Sequence, residues 1–227
     1  MAETVADTGT NVAAAKDSAN AHWKWKTSTL GLILMGLATI GSSWCGYQSN
    51  LWEGIQTFKL TDAAAFSRDA DESAIRATQQ RAVDASLFVE YARDIHDGKT
   101  EMSAFILARM RPELQKATKA WMLTRPIKNP NAPSSPFVMP EYQVKADAEA
   151  AELNARSTSA HDKAQEANKT GDTYTLLTVL YATVLFLAGL VSTIDEGRAR
   201  LVTLIMGGVT FIAASLVLLH LPVAQIG

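Results

Sequence analysis

Cysteine is the scarcest residue type in this 227-residue chain: there is one, Cys45. A single thiol excludes an intrachain disulfide and any cysteine-cluster metal site. Strong net charge is missing as well. Lys and Arg number 21 against 23 Asp and Glu, a formal net charge of -2. The chain therefore lacks the basic footprint of a nucleic-acid binder, and no polybasic tract points to anionic lipid. Proline is scarce outside one stretch, with five of the seven falling between Arg125 and Tyr142. Catalytic signatures are absent too: there is no P-loop, dinucleotide-binding glycine pattern, zinc-protease helix or nucleophile elbow. The chain reads as a non-enzyme, with no catalytic residue, metal ligand or cofactor expected.

The most telling absence is of charge within three long runs. No Asp, Glu, Lys, Arg or His occurs from Thr27 to Leu51, from Thr173 to Ile194, or from Leu201 to Leu219. At 1.5 Å per residue, about 20 residues cross a hydrocarbon layer of about 30 Å, and each run is long enough. Three spans are expected, at 27–48, 173–194 and 201–221. A cleaved signal peptide is disfavoured for the first, because its lysines follow a polar lead of more than twenty residues and no clear cleavage site follows. Trp23 and Trp25 before the first span, and Trp44, Tyr47 and Trp52 at its far end, fit interface belts.

Lys24 and Lys26 flank the first span, while Arg198 and Arg200 lie in the turn 195–200. The positive-inside rule sets that side as cytoplasmic. The expected order is then a mostly disordered cytoplasmic tail (1–26), an extracytoplasmic region (49–172) and a short extracytoplasmic tail (222–227). A bacterial inner membrane is the expected location.

The region between the first two spans reads as helical. No glycine lies between Gly54 and Gly98 and no proline between Tyr47 and Pro112, so the first span continues outward as a long helix that Gly98 stops. Thr100 is placed to cap a second helix, and Pro112 marks a break or restart. The stretch 125–142 must be a proline-rich loop. A third helix is predicted from Pro140, with Glu141 against its positive end. Ala146, Ala150, Leu153, Ser157, Ala160, Ala164 and Ala167 follow coiled-coil spacing, continued by Gly171, Tyr174, Thr178, Tyr181, Leu185, Ala188 and Ser192. The fold class expected is an all-α integral membrane protein with three transmembrane helices. Its first two would continue outward as an antiparallel helical stalk, capped by a short helix and the proline-rich loop.

Candidate functional residues are few. Gly36, Thr39, Ser43 and Gly46 form a small or hydroxylated stripe on the first span; with Thr178 and Tyr181 on the second, they are candidates for lining a pore or for close helix packing. Phe137, Met139 and Tyr142 stand among prolines, as staples for the loop or as a partner-binding knob. Glu90, Asp94 and His96 do not share one face, so no metal site is expected there. Intramembrane carboxylates, lysines and arginines are absent, which leaves proton relays and voltage sensing without support.

Two clusters, Trp44-Cys45-Gly46-Tyr47-Gln48 with Trp52 and Gly54, and the run from Asn129 to Tyr142, resemble an uncharacterised family of three-span bacterial inner-membrane proteins. The resemblance implies the three-span topology and no activity. The leading functional expectation is a homo-oligomeric, channel-like assembly for ions or small solutes, in contact with the lipid bilayer. The alternative is a non-conducting scaffold or accessory subunit that binds another envelope protein through its helical cap.

Overall fold

The computed structural model describes residues 3–225, with side chains from Trp25 onward. Its regular elements are α1 (Glu3–His96), α2 (Thr100–Arg109), α3 (Pro112–Leu123), a 3-10 turn (Pro136–Val138), α4 (Lys145–Thr193) and α5 (Gly197–His220). Among the described residues there is no strand. The tail expected to lack structure over 1–26 lies, as far as residue 24, outside the residues described with side chains. α1, α4 and α5 are each long and apolar enough to cross a membrane. Contacts divide the chain into two compact units, residues 1–59 with 163–227 and residues 60–162. We call them the apolar unit and the charged unit.

In the apolar unit the core consists of Ala38 and Cys45 from α1, Tyr174, Leu177, Tyr181 and Val184 from α4, and Ala214 from α5. Small residues on α1 make room for large ones on α4. A Cβ on Gly41 would stand 2.8 Å from the Tyr181 ring, and one on Gly31 would stand 3.3 Å from the carbonyl of Ala188. The buried tyrosines keep their hydroxyls bonded, Tyr181 with Ser215 Oγ at 3.0 Å and Tyr174 donating to the carbonyl of Pro222 at 3.2 Å. Buried Gln48 accepts from the Ala224 amide at 2.8 Å. Each contact removes the penalty of an unpaired polar group away from water.

The seam along α4 departs from the expected one beyond Tyr174. Leu177, Val184 and Val191 are buried, where the spacing predicted Thr178, Leu185 and Ser192. The step from Gly171 to Tyr174 to Leu177 contains two consecutive intervals of three. That is a three-residue shift in a heptad pattern, and it turns an apolar side chain inward where Thr178 or Ser192 would have offered a hydroxyl. Thr178 instead donates to the carbonyl of Tyr174 at 3.1 Å.

In the charged unit, α1 buries Ala63, Ala70, Ala77, Asp84 and Tyr91, spaced by seven, together with Ser73 and Asp94. Opposite them α4 buries Ala146, Ala150 and Ala160. Ser157 Oγ donates to the Ala63 carbonyl at 2.9 Å, Arg76 pairs with Glu149 at 3.6 Å, and Arg81 pairs with Asp147. α1 ends where Gly98 adopts φ 74°, a left-handed conformation that suits glycine. The Lys99 amide then bonds back to the carbonyl of Asp94 at 2.9 Å.

Two predicted helix starts are corrected. Thr100 is the first residue of α2, whose N-cap is Lys99 with no side-chain cap bond. α4 begins at Lys145 rather than Pro140. Residues 140–144 are kept out of the helix by a turn in which the Tyr142 amide bonds the Met139 carbonyl at 3.0 Å, while the Tyr142 hydroxyl is held by α1.

Candidate functional site

The apolar unit has an inner and an outer face on α1. The inner face, with Gly31, Ala38, Gly41 and Cys45, packs within the chain. The predicted stripe lies elsewhere. Gly36, Thr39 and Ser43 are exposed, and a Cβ added at Gly36 or Gly46 would meet nothing within 4 Å. Thr39 Oγ1 donates to the Met35 carbonyl and Ser43 Oγ to the Thr39 carbonyl, both at 2.9 Å. These hydroxyls thus present oxygen lone pairs rather than free donors. Of the two α4 candidates, Tyr181 is a core residue and Thr178 is half-buried. The stripe and the α4 pair therefore belong to different surfaces.

A polar cleft of about 260 Å³ opens on the same unit, lined by Ser49, Glu53, Gln56, Asn168, Asp172 and Thr175 among others. Ala167 and Gly171 leave the space. Asn168 Nδ2 bonds Asp172 Oδ2 at 2.9 Å, and Ser49 Oγ contacts Thr175 Oγ1 at 2.8 Å. The Asp172 carboxylate thus faces an amide, and the lining includes a second carboxylate, Glu53, and no basic side chain. No motif in the sequence marks this cleft, because its residues lie more than a hundred positions apart.

The charged unit is organised around Asp84, which is fully buried. Its Oδ1 accepts from Arg111 Nε at 3.1 Å, and its Oδ2 accepts from the Arg111 fork and, at 2.8 Å, from the Tyr142 hydroxyl. Arg111 Nη1 also donates to Gln80 Oε1 at 3.0 Å. Bonding to Asp84 pushes the Arg111 guanidinium above its usual pKa. Burial, followed by the bond to Asp84, raises the Tyr142 phenol. The carboxylate thus ties together α1, the start of α3 and the end of the proline-rich loop. Charge-assisted bonds of this kind are the strong ones.

Aromatic packing completes the node. Phe137 meets Phe88 and Tyr142 edge-on, with ring centroids 5.7 and 5.1 Å away, and Phe88 meets Trp121 at 5.4 Å. Trp121 Nε1 donates to the Pro133 carbonyl at 2.7 Å. Phe137 and Tyr142 are thereby drawn together as loop staples, and Met139 is half-buried beside them in sequence. The apolar side chains presented outward in this unit are different ones. Leu123 is 84% exposed, Ile127 90% and Val138 63%. Asp94 is buried within 3.7 Å of Lys99 Nζ, and Glu90 pairs with Arg93. Among the described residues no three His, Cys, Asp or Glu side chains gather as metal ligands would.

No family model, curated protein or solved structure matches this chain. The functional reading therefore rests on two sets of exposed residues: the small-residue face of α1 and the apolar side chains Leu123, Ile127 and Val138.

Proposed function

We propose that this chain is a non-enzymatic protein of a bacterial inner membrane, related to the uncharacterised three-span family, that self-associates into a channel-like assembly for ions or small solutes. The observation that carries the reading is the outward direction of Gly36, Thr39, Ser43 and Gly46, which the chain does not use for its own packing. Small residues let helices approach closely in lipid, and hydroxyl oxygens around an axis offer polar contacts to a solute. In this reading the N-terminus is cytoplasmic and residues 49–172 are extracytoplasmic, since Lys24, Lys26, Arg198 and Arg200 fall on one side of the spans. α1 and α4 would form an antiparallel stalk, which the order of the pairs Ala63 with Ser157, Arg76 with Glu149 and Arg81 with Asp147 supports.

The test is an image of the protein reconstituted in lipid, combined with solute flux into liposomes. Several copies around an open axis, with flux lowered by Gly36→Leu, are expected. A monomer with no flux would sink the proposal. A second reading, a non-conducting scaffold, is favoured by the exposed Leu123, Ile127 and Val138. It predicts that crosslinking in cells recovers a different envelope protein and that Ile127→Asp abolishes that recovery. Recovery of this chain alone would count against it.

A further inference from the structure

Ion pairs are unevenly spread along the chain. In the charged unit Arg76, Arg81, Arg93, Arg111 and Arg156 all reach carboxylates. At the start of α5 the pattern reverses. Arg200 is only 4% exposed, yet among the described residues its side chain hydrogen-bonds only the neutral Ser28 hydroxyl, and its Nε is buried with no partner there. No ion pair among the described residues includes Arg200, Arg198 or Lys26. The neighbouring Glu196 is the N-cap of α5 and makes no side-chain cap bond.

A guanidinium taken out of water needs a counter-charge, and a neutral hydroxyl does not supply one. The same place is the N-terminus of a 24-residue helix. The free N–H groups of its first turn and the positive end of its dipole favour an anion. Planar guanidinium groups match phosphoryl oxygens well. The charge-free run of α5 begins at Leu201, directly after Arg200, so in a bilayer this end of the helix would lie at headgroup depth.

We propose that the N-terminus of α5, with Arg200, Arg198, Lys26 and the Ser28 hydroxyl, binds a phosphoryl anion, supplied by an anionic lipid headgroup or as free phosphate. The membrane reading enters only in the choice between these sources; the anion chemistry stands on Arg200. The basic residues come from two distant segments, which is why no polybasic tract announces the site.

The test uses delipidated full-length protein in detergent, titrated separately with phosphatidylglycerol, with diacylglycerol, which lacks phosphate, and with inorganic phosphate. Native mass spectrometry reads retained lipid, and the melting temperature reads the free anion. Phosphatidylglycerol should be retained about tenfold better by the parent than by Arg200→Gln, the loss expected for a charge-assisted contact. Arg198→Gln should fall between them, and Arg93→Gln, in the charged unit, should match the parent. A rise in melting temperature with inorganic phosphate that Arg200→Gln abolishes would identify free phosphate as the occupant. Equal retention of phosphatidylglycerol and diacylglycerol, with no response to phosphate, overturns the site, as does a response that both α5 variants preserve. Should Arg200→Gln fail to fold, the exposed Arg198 decides by the same comparison. None of these readouts depends on subunit number or flux, so this site and the channel-like assembly fail separately.

Discussion

Along α1 the apolar and charged units use one helix in two ways. Both bury one narrow face, through Gly31, Ala38 and Cys45 in the first and through Ala63, Ala70, Ala77, Asp84 and Tyr91 in the second. In the first, glycine lets a tyrosine ring lie against the backbone, and hydroxyls are tied to carbonyls of the same chain. In the second, alanine holds the helices close until Asp84, where a carboxylate, a guanidinium and a phenol replace apolar contact. The difference follows from composition. A region rich in charged side chains can bury a carboxylate if a cation and a hydroxyl pair with it, whereas helices apolar enough to cross a membrane depend on close packing and satisfied hydroxyls.

The sharpest way to break the comparison is Asp84→Ala. It strands Arg111, one-third exposed, and the Tyr142 hydroxyl together. The charged unit should lose about 3 kcal/mol, the scale for removing one partner of a buried pair. Hydrogen exchange should show α3 and residues 125–142 opening while the spans stay protected. Unchanged protection at 125–142 would deny Asp84 its organising role.

A smaller effect is expected from Gly41→Ala, whose new methyl would meet the Tyr181 ring at 2.8 Å. Overpacking of this kind costs about 1 to 3 kcal/mol, read as a lower melting temperature in detergent. Gly36→Ala, with open space around it, should leave the isolated subunit unchanged. Equal effects at the two glycines would erase the distinction between the inner and outer faces of α1.

The smallest effect is a pH dependence in the charged unit. The folded-state pKa of Tyr142 is raised above the ordinary phenol value of 10.0. Its stabilising contribution is therefore whole below about pH 10 and is lost as pH rises through the higher folded value. Tyr142→Phe should flatten the alkaline fall in melting temperature. An identical alkaline profile in that variant would remove Tyr142 as its source.

Much of this organisation is legible in the residues. The spans show as charge-free runs, the end of α1 as Gly98, and the start of α3 as Pro112. The alanine seam of α4 appears as far as Tyr174. Beyond that point a strict alternation of fours and threes selects Thr178 and Ser192, and the helix buries Leu177 and Val191 instead. Helical period and heptad period differ slightly, and packing decides where the difference is taken up. The start of α4 differs from the local pattern for a related reason. Pro140 and Glu141 suit a helix N-terminus locally, but Tyr142 is held by Asp84, 58 positions away. Asp84 itself carries no local mark among the many acidic residues of the chain.

The sequence by itself determined the three apolar helices and the heptad rhythm of their extensions, because these depend on runs and spacings within one segment. Tertiary structure alone decided which carboxylate is buried with Arg111 and Tyr142, which face of α1 is left with its small residues outward, and that Arg200 is buried with no carboxylate paired to it among the described residues. The reason is physical: burial and pairing are set by groups distant in the chain, and no local pattern records who a side chain's neighbours are.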